Sequence, residues 1–227
     1  MKIDLHCHTE ASGDCLTPLT EFPARCRAQG IQVQAITDHD AVWGAQKLQE
    51  LVAAEADADE PLTVIVGEEV TTQEGEIIGL FLNEKVPPGL PAAEAVAQIK
   101  RQGGLVLLPH GFDPYKRGRL RSAALQEVAD KIDIVETFNA RVSFQRFNRQ
   151  AQDWAERRGL VQSAGTDAHR LADVGVAWVE APERPIHHPA DLLAALEAGE
   201  VIGSWTHPVL AYLKKQIAHW KHRMMHL

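Results

Sequence analysis

A chain of 227 residues with 45% hydrophobic residues is long enough for one large domain with an ample core. Its longest apolar runs, such as Leu105-Val106-Leu107-Leu108, are strand-length and far below the ~18 residues that would span a membrane. A formal net charge of -8 argues against nonspecific nucleic-acid binding by the whole surface, though not against a local basic groove.

Three cysteines, Cys7, Cys15 and Cys26, are an odd and small number, which points to a reducing compartment without a disulfide framework. The N-terminus shows no signal-peptide pattern. The expected setting is the cytoplasm, with no membrane partner.

Strands and helices alternate along the chain. Residues 2–8 read as a strand and 18–29 as a helix, with Thr17 as its cap, Pro18 at its first position and Gly30 as its stop. A strand over 33–37 and a helix over 44–56 follow, the helix carrying Leu48, Leu51 and Val52 at helical spacing. Strands are expected at 62–66 and 76–82, and a helix at 92–102 ending on Gly103-Gly104. Next come a strand over 105–108, a short helix over 123–129, a strand over 132–135, a helix over 144–158 and a strand over 161–164. One more strand at 176–179 and a helix at 189–198 complete the pattern.

Alternation of this kind gives a parallel sheet. About seven such strands, each followed by chemistry, favour a closed barrel over an open sheet. The expected fold class is α/β, a distorted (β/α)7 barrel over residues 1–204. Residues 205–227 are expected to form a basic amphipathic C-terminal helix packed on the barrel, with Val209, Leu213, Ile217, Trp220 and Met224 along one stripe.

Metal-type side chains gather just past these strands: Asp4-Leu5-His6-Cys7-His8-Thr9, Thr37-Asp38-His39-Asp40, Gly67-Glu68-Glu69, Pro109-His110-Gly111 and Gly165-Thr166-Asp167-Ala168-His169. On a strand, His6 and His8 leave the same face and Cys7 the other. Asp38 beside His39 reads as a carboxylate that orients an imidazole. One cluster alone says little; five strand ends converging at one face point to a polynuclear metal site.

These motifs, in this order and spacing, resemble the successive motifs of the PHP (polymerase and histidinol phosphatase) superfamily. The stretch Ile134-Val135-Glu136-Thr137-Phe138-Asn139-Ala140-Arg141 further resembles small bacterial members of unassigned substrate. The resemblance implies a distorted seven-stranded barrel, two or three divalent metals and phosphoester hydrolysis. It implies one metal position from His6, His8, Glu69 and Asp167. Glu69 would bridge to a second that His110 also binds, and His39 and His169 would form a third with Asp14. Glu76 aligns with a further ligand of the second position. Glu68 is left as a structural or solvent-facing residue, and Glu136 as a neighbour that holds an imidazole.

Mixed imidazole and carboxylate ligands suit Zn, Mn or Fe better than Mg. The carboxylates of Asp14, Glu69, Glu76 and Asp167 leave three divalent ions with surplus positive charge, which suits a phosphate dianion.

The basic segment 116–119 follows the strand that delivers His110, and Arg117, then Arg119, is expected to hold phosphate; Arg141 is a further candidate. The expected function is a metal-dependent phosphoesterase acting on a small phosphomonoester or nucleotide. Glu69 and Asp167 would be catalytic as ligands, and His39 or His169 would protonate the leaving oxygen. The alternatives are a nuclease acting on RNA or DNA ends, with Lys116, Arg117, Arg119 and Arg121 as its basic groove, and a non-catalytic metal-binding module.

Overall fold

In the computed structural model, residues 1–55 and 61–205 are described. The amphipathic stretch expected over 209–225 therefore lies outside the described residues. Nine strands form one sheet, in the order β7-β6-β5-β4-β3-β2-β1-β8-β9. They are β1 (Lys2–Asp4), β2 (Ile31–Ile36), β3 (Thr63–Thr72), β4 (Gly75–Leu80), β5 (Leu105–Leu108), β6 (Ile134–Asn139), β7 (Val161–Gly165), β8 (Ala177–Glu180) and β9 (Glu200–Gly203).

Past β1 the chain hydrogen-bonds back to β7: Leu5 N–H donates to the Ala164 carbonyl at 3.2 Å, Asp167 N–H to that of His6 at 2.8 Å and His8 N–H to that of Ala168 at 3.1 Å. These bonds bring β7 against β1 and nearly close the sheet into a barrel. β8 and β9 pair antiparallel on the far side of β1.

Among the described residues six α-helices accompany the strands: α1 (Phe22–Gln29), α2 (Trp43–Ala54), α3 (Ala92–Arg101), α4 (Ser122–Val128), α5 (Gln145–Arg158) and α6 (Pro189–Glu197). α1 starts later than expected. Pro18 leads only into a single 3-10 turn, Leu19–Glu21, and the α-helix opens with Pro23 in its first turn, where a missing N–H costs nothing. Gly30 and Gly159 close α1 and α5 in the left-handed conformation. No helix among the described residues is long and apolar enough to cross a membrane.

Strand alternation sorts the core into two layers. Val64, Val66 and Val70 of β3, Val106 of β5 and Val135 of β6 join Leu48 and Ile99 in a cluster under the helices. Ile65, Ile78, Leu107, Ile134 and Ala164 form a second cluster, on the opposite strand faces. Just past β1 the alternation breaks. Leu5 belongs to the second cluster but Cys7, two residues on, joins the first. The irregularity follows the point where Asp4 Oδ1 accepts the His6 N–H at 3.2 Å.

The sheet departs from the all-parallel expectation at β3, β4 and β5, which run antiparallel to their neighbours in that series. The expected strand ended at 66, with Gly67-Glu68-Glu69 just past it. Instead β3 continues to Thr72, because Val70, Thr71 and Thr72 are β-branched and suit a pleated strand. A two-residue connection, too short for a parallel crossover, then turns the chain into β4. Similarly β6 runs on to Asn139, past the expected end at 135, and β9 was not foreseen.

Candidate metal centre

The hairpin has a chemical consequence. Because β4 runs backwards, its first residues lie at the end of the barrel where the parallel strands finish. Glu76, at the start of β4, thus joins His6 and His8 (after β1), His39 (after β2), Glu69 (within β3), His110 (after β5), Glu136 (within β6) and Asp167 and His169 (after β7).

Glu69 is the hub. Its Oε2 lies 3.3 Å from His6 Nε2, His8 Nε2 and His39 Nδ1, and its Oε1 lies 3.0 Å from His110 Nε2. The Nε2 atoms of His6 and His8 are 3.2 Å apart, and Glu76 Oε2 is 3.6 Å from His110 Nε2. Asp167 Oδ1 is 3.9 Å from His6 Nε2 and 3.7 Å from His8 Nε2. Asp14 Oδ2 meets His169 Nε2 at 2.9 Å and His39 Nε2 at 3.8 Å.

Ligand atoms converge in four overlapping groups: His6-His8-Glu69, Glu69-Glu76-His110, His6-His110-Asp167 and His8-His39-His169. The first two correspond to subsets of the expected first and second positions. In the last, His8 stands with His39 and His169, while Asp14 borders it from the half-exposed loop.

The spacing fits divalent ions. Ligands bound at about 2.0–2.1 Å around a tetrahedral ion lie roughly 3.3 Å from one another. His6, His8 and Glu69 stand 3.2–3.3 Å apart. Imidazole and carboxylate together are a donor set for first-row transition metals.

The electrostatics agree. Burial alone would raise Glu69, but His6 and the hydrogen bonds from His110, His6 and His8 outweigh it and hold its carboxyl well below the usual range. Burial pushes His8 down to about 3, so its imidazole is neutral and its lone pair free to ligate. Burial, and then the Glu69 charge, push Glu76 up to about 7. A buried and a half-buried carboxylate whose oxygens lie within 4.8 Å of each other are a site that a cation would relieve.

Neighbouring residues fix the ligands. Glu136 Oε1 sits 2.9 Å from His6 Nδ1, and its Oε2 accepts the His110 N–H at 2.7 Å. This carboxylate–imidazole contact orients the ring and aims Nε2 into the cluster. Gly165 makes it feasible, since a Cβ there would stand 2.0 Å from Glu136 Oε1. His110 and Asp167 both have positive φ, 30° and 50°, so two non-glycine site residues hold strained backbone.

Two carboxylates serve the scaffold. Asp4 accepts the Thr166 hydroxyl at 2.7 Å and N–H at 3.1 Å, which ties the ends of β1 and β7 together. Asp38 was expected to orient the His39 ring. Instead it accepts the Thr9 N–H at 2.6 Å and hydroxyl at 2.8 Å, binding the ends of β2 and β1. Its partner is a short threonine at the facing strand end, a nonlocal pairing that adjacency to His39 could not reveal. The Ser12 hydroxyl joins the same end: it lies 3.3 Å from His8 Nδ1 and accepts the His39 N–H at 3.1 Å.

Glu68 is buried rather than solvent-facing. It accepts the Val86 N–H at 2.7 Å, while its Oε1 has no hydrogen-bond partner.

The cations are arranged differently from the sequence expectation. Arg117 is exposed, and the side chains of Arg117 and Arg119 make no hydrogen bond or ion pair among the described residues. Lys116 is the residue of this loop that enters the site, where its ammonium pairs with Asp167 Oδ2. Arg141 reaches the other side of the same residue, at 2.9 Å from the Asp167 carbonyl and 3.2 Å from its Oδ1, and also touches His169 Nδ1. These two cations hold Asp167 well below the usual carboxylate range, against the effect of burial.

Asn139, which sequence reading quoted without a role, donates to Glu136 Oε2 at 3.0 Å and Asp167 Oδ2 at 3.2 Å. The loop path explains why Lys116 is chosen. Gly118 packs directly on Glu76, where a Cβ would fall 1.4 Å from Oε2, and Gly118 accepts the Glu76 N–H at 2.7 Å. That seat fixes which loop residues face the cluster, and no local pattern encodes it.

Comparison with known proteins bears on this arrangement. The PHP domain family profile matches residues 4–169, and a PHP-associated profile matches residues 145–201. An uncharacterized protein of Methanocaldococcus jannaschii is 35% identical over 195 residues, covering 85% of this chain and 75% of that protein. A 5'-3' exoribonuclease of Haemophilus influenzae is 39% identical over 90 residues, covering 38% of this chain and 31% of the relative.

Among solved structures, a two-domain protein of Bacteroides vulgatus, containing a predicted PHP-like metal-dependent phosphoesterase, superposes with a TM-score of 0.68 at 17% identity. That match covers 89% of this chain and 64% of the other, and it speaks to the fold alone. With the domain profile spanning most of the barrel and the archaeal relative aligned along 85% of the sequence, the chain belongs to the PHP domain family.

Proposed function

We propose that the protein is a metal-dependent phosphoesterase that hydrolyses a small phosphomonoester or nucleotide at a centre of two or three divalent ions. The observation that carries this reading is the Glu69 carboxylate, whose two oxygens face different ligand groups, His6, His8 and His39 on one side and His110 on the other. His6, His8, Glu69 and Asp167 would hold one ion, Glu69, His110 and Glu76 a second, and His39, His169 and Asp14 a third. Zn, Mn and Fe are the metals this donor set suits. Such ions, when bound, neutralise charge on phosphoryl oxygens and lower the pKa of water.

The chain's own groups do the rest. Lys116 and Arg141 bring two positive charges to the edge of the cluster, where a phosphate would meet an ammonium and a planar guanidinium fork. Burial, with the Arg141 charge, lowers His169, which suits it to ligation, while His39, less buried than His6 and His8, would be the group to give a leaving oxygen a proton where the third ion is not bound. Glu136 and Asn139 keep His6 and Asp167 in place.

A second reading, hydrolysis at RNA or DNA ends, is favoured by the similarity to the exoribonuclease and by the basic loop around Lys116. One experiment addresses both readings. Purified protein is analysed for bound metal, then screened for phosphate release from sugar phosphates, nucleotides and short 5′-phosphorylated oligonucleotides. We expect more than one transition-metal ion per chain and release from at least one class. Protein that takes up no metal and releases no phosphate would overturn the assignment.

A further inference from the structure

Most large apolar side chains among the described residues are buried or half-buried, and the exposed ones follow strands at one end of the barrel. Among the described residues they are Leu16, 91% exposed, Tyr115, 65%, Trp43, 52%, and Phe144, 42%. Leu16 follows β1, Trp43 follows β2, Tyr115 follows β5 and Phe144 follows β6. All four therefore lie on the end of the barrel that carries the metal-type cluster. Exposed apolar groups collected around one mouth mark a binding surface; scattered singly, they would mean nothing.

The Tyr115 side of this rim is built. The Tyr115 ring lies 6.0 Å from Phe144, edge-on, and 6.1 Å from Phe147, and the Arg146 guanidinium stands 5.0 Å and 4.8 Å from those two phenylalanine rings. Asp113 is the clasp. It is fully buried, its Oδ1 accepts the Tyr115 N–H at 3.0 Å and its Oδ2 accepts the Ser143 N–H at 2.6 Å. One carboxylate thus fixes both aromatic loops against each other. Each loop also sends a cation inward to Asp167: Lys116, the residue after Tyr115, and Arg141, three residues before Phe144.

Each loop pairs an inward cation with an aromatic ring at the rim. That pattern matches a ligand with a phosphate at one end and a planar ring a short distance away. A sugar phosphate supplies the phosphate but no ring. A nucleoside phosphate supplies both, with the sugar as spacer, and base-on-aromatic stacking tolerates any base because every base has a π-face. We propose that Tyr115, braced by Phe144 and Phe147, stacks the nucleobase of a nucleoside phosphate whose phosphate meets Lys116 and Arg141. This rests on the phosphoesterase reading and adds its substrate class. A free mononucleotide and the 5′ end of a single strand offer the same chemistry, so the test has an arm for each.

Metal-loaded full-length protein is titrated calorimetrically with adenosine 5′-monophosphate, a 5′-phosphorylated oligoadenylate and ribose 5-phosphate, using wild type, Tyr115→Ala and Tyr115→Phe. KM for the same compounds is measured in parallel. We expect Tyr115→Ala to weaken binding of the mononucleotide or the oligonucleotide roughly five- to a hundredfold, the range lost with one base–aromatic stack, while ribose 5-phosphate changes less than about twofold. Tyr115→Phe keeps the ring and should bind like wild type. The arm with the larger loss identifies the source of the base. Equal losses on ribose 5-phosphate, or none on either base-bearing ligand, would overturn the proposal. If wild type hydrolyses none of the compounds, the phosphoesterase reading fails, and the binding ratios alone then decide the stack.

Discussion

Glu68 and Glu69 are adjacent on β3, share one side-chain chemistry and occupy opposite worlds. Glu69 is turned into the ligand cluster, where histidines surround it and hold it ionised although burial opposes this. Glu68 is turned into the layer under the helices, where burial pushes its carboxyl up to about 7 despite the Val86 N–H. Strand alternation alone makes the difference, by sending one side chain to the ligand cluster and its neighbour to the apolar layer. A buried carboxylate becomes a hub only where several imidazoles meet it. The same group in an apolar layer is a proton-holding structural residue.

The largest test of this contrast removes ligands from the inner face. The His6→Ala/His8→Ala double variant should lose at least one bound ion and nearly all activity, with its far-ultraviolet circular dichroism unchanged. Full metal content in that variant would show that the cluster is not the metal site. A sharper comparison is Glu69→Gln against Glu68→Gln. The first should lower kcat/KM at least about a hundredfold, the scale of removing an electrostatic catalytic group, and the second only a few-fold. The reverse order would show that the inner and outer roles are exchanged.

Within the inner face, the cations can be ranked. Lys116→Ala and Arg141→Ala should each lower kcat/KM roughly ten- to a hundredfold, as expected for a lost charged hydrogen bond. Arg117→Ala should change it little, and metal content should stay intact in all three. If Arg117→Ala costs as much as Lys116→Ala, the loop presents Arg117 to the substrate after all.

The outer face has its own signature in pH. The Glu68 carboxyl is raised by burial from 4.5 to about 7, so the folded state keeps a proton that the unfolded state releases. Its contribution to stability is fully present below pH ~4.5 and is lost as pH rises through about 7. Compared with Glu68→Gln, wild type should therefore lose stability across that window, by about 3 kcal/mol at most. Denaturant unfolding of both proteins at several pH values checks this. Parallel profiles would mean that Glu68 stays solvated.

The sequence by itself determined what depends on local rules. Apolar strands closed by His, Asp and Glu place those residues at one end of a barrel. The barrel and the gathering of metal-type side chains at one end of it were legible in that way; the family, and with it the set His6, His8, His39, Glu69, His110, Asp167 and His169, was legible through the resemblance of the ordered motifs.

Only the tertiary structure decided the rest. The β3–β4–β5 reversal, which brings Glu76 to the cluster from the start of its strand, depends on a two-residue turn inside the stretch left between two expected strands. Asp38 found Thr9, 29 residues away, rather than the imidazole beside it. Lys116, rather than the exposed Arg117, pairs with Asp167, in a loop that Gly118 seats on Glu76 and Asp113 clasps to Ser143. The physical reason is common to all three. Periodicity is fixed by neighbours in the chain, whereas the partner of a buried carboxylate and the path of a loop are fixed by whichever distant groups satisfy their hydrogen bonds and leave room.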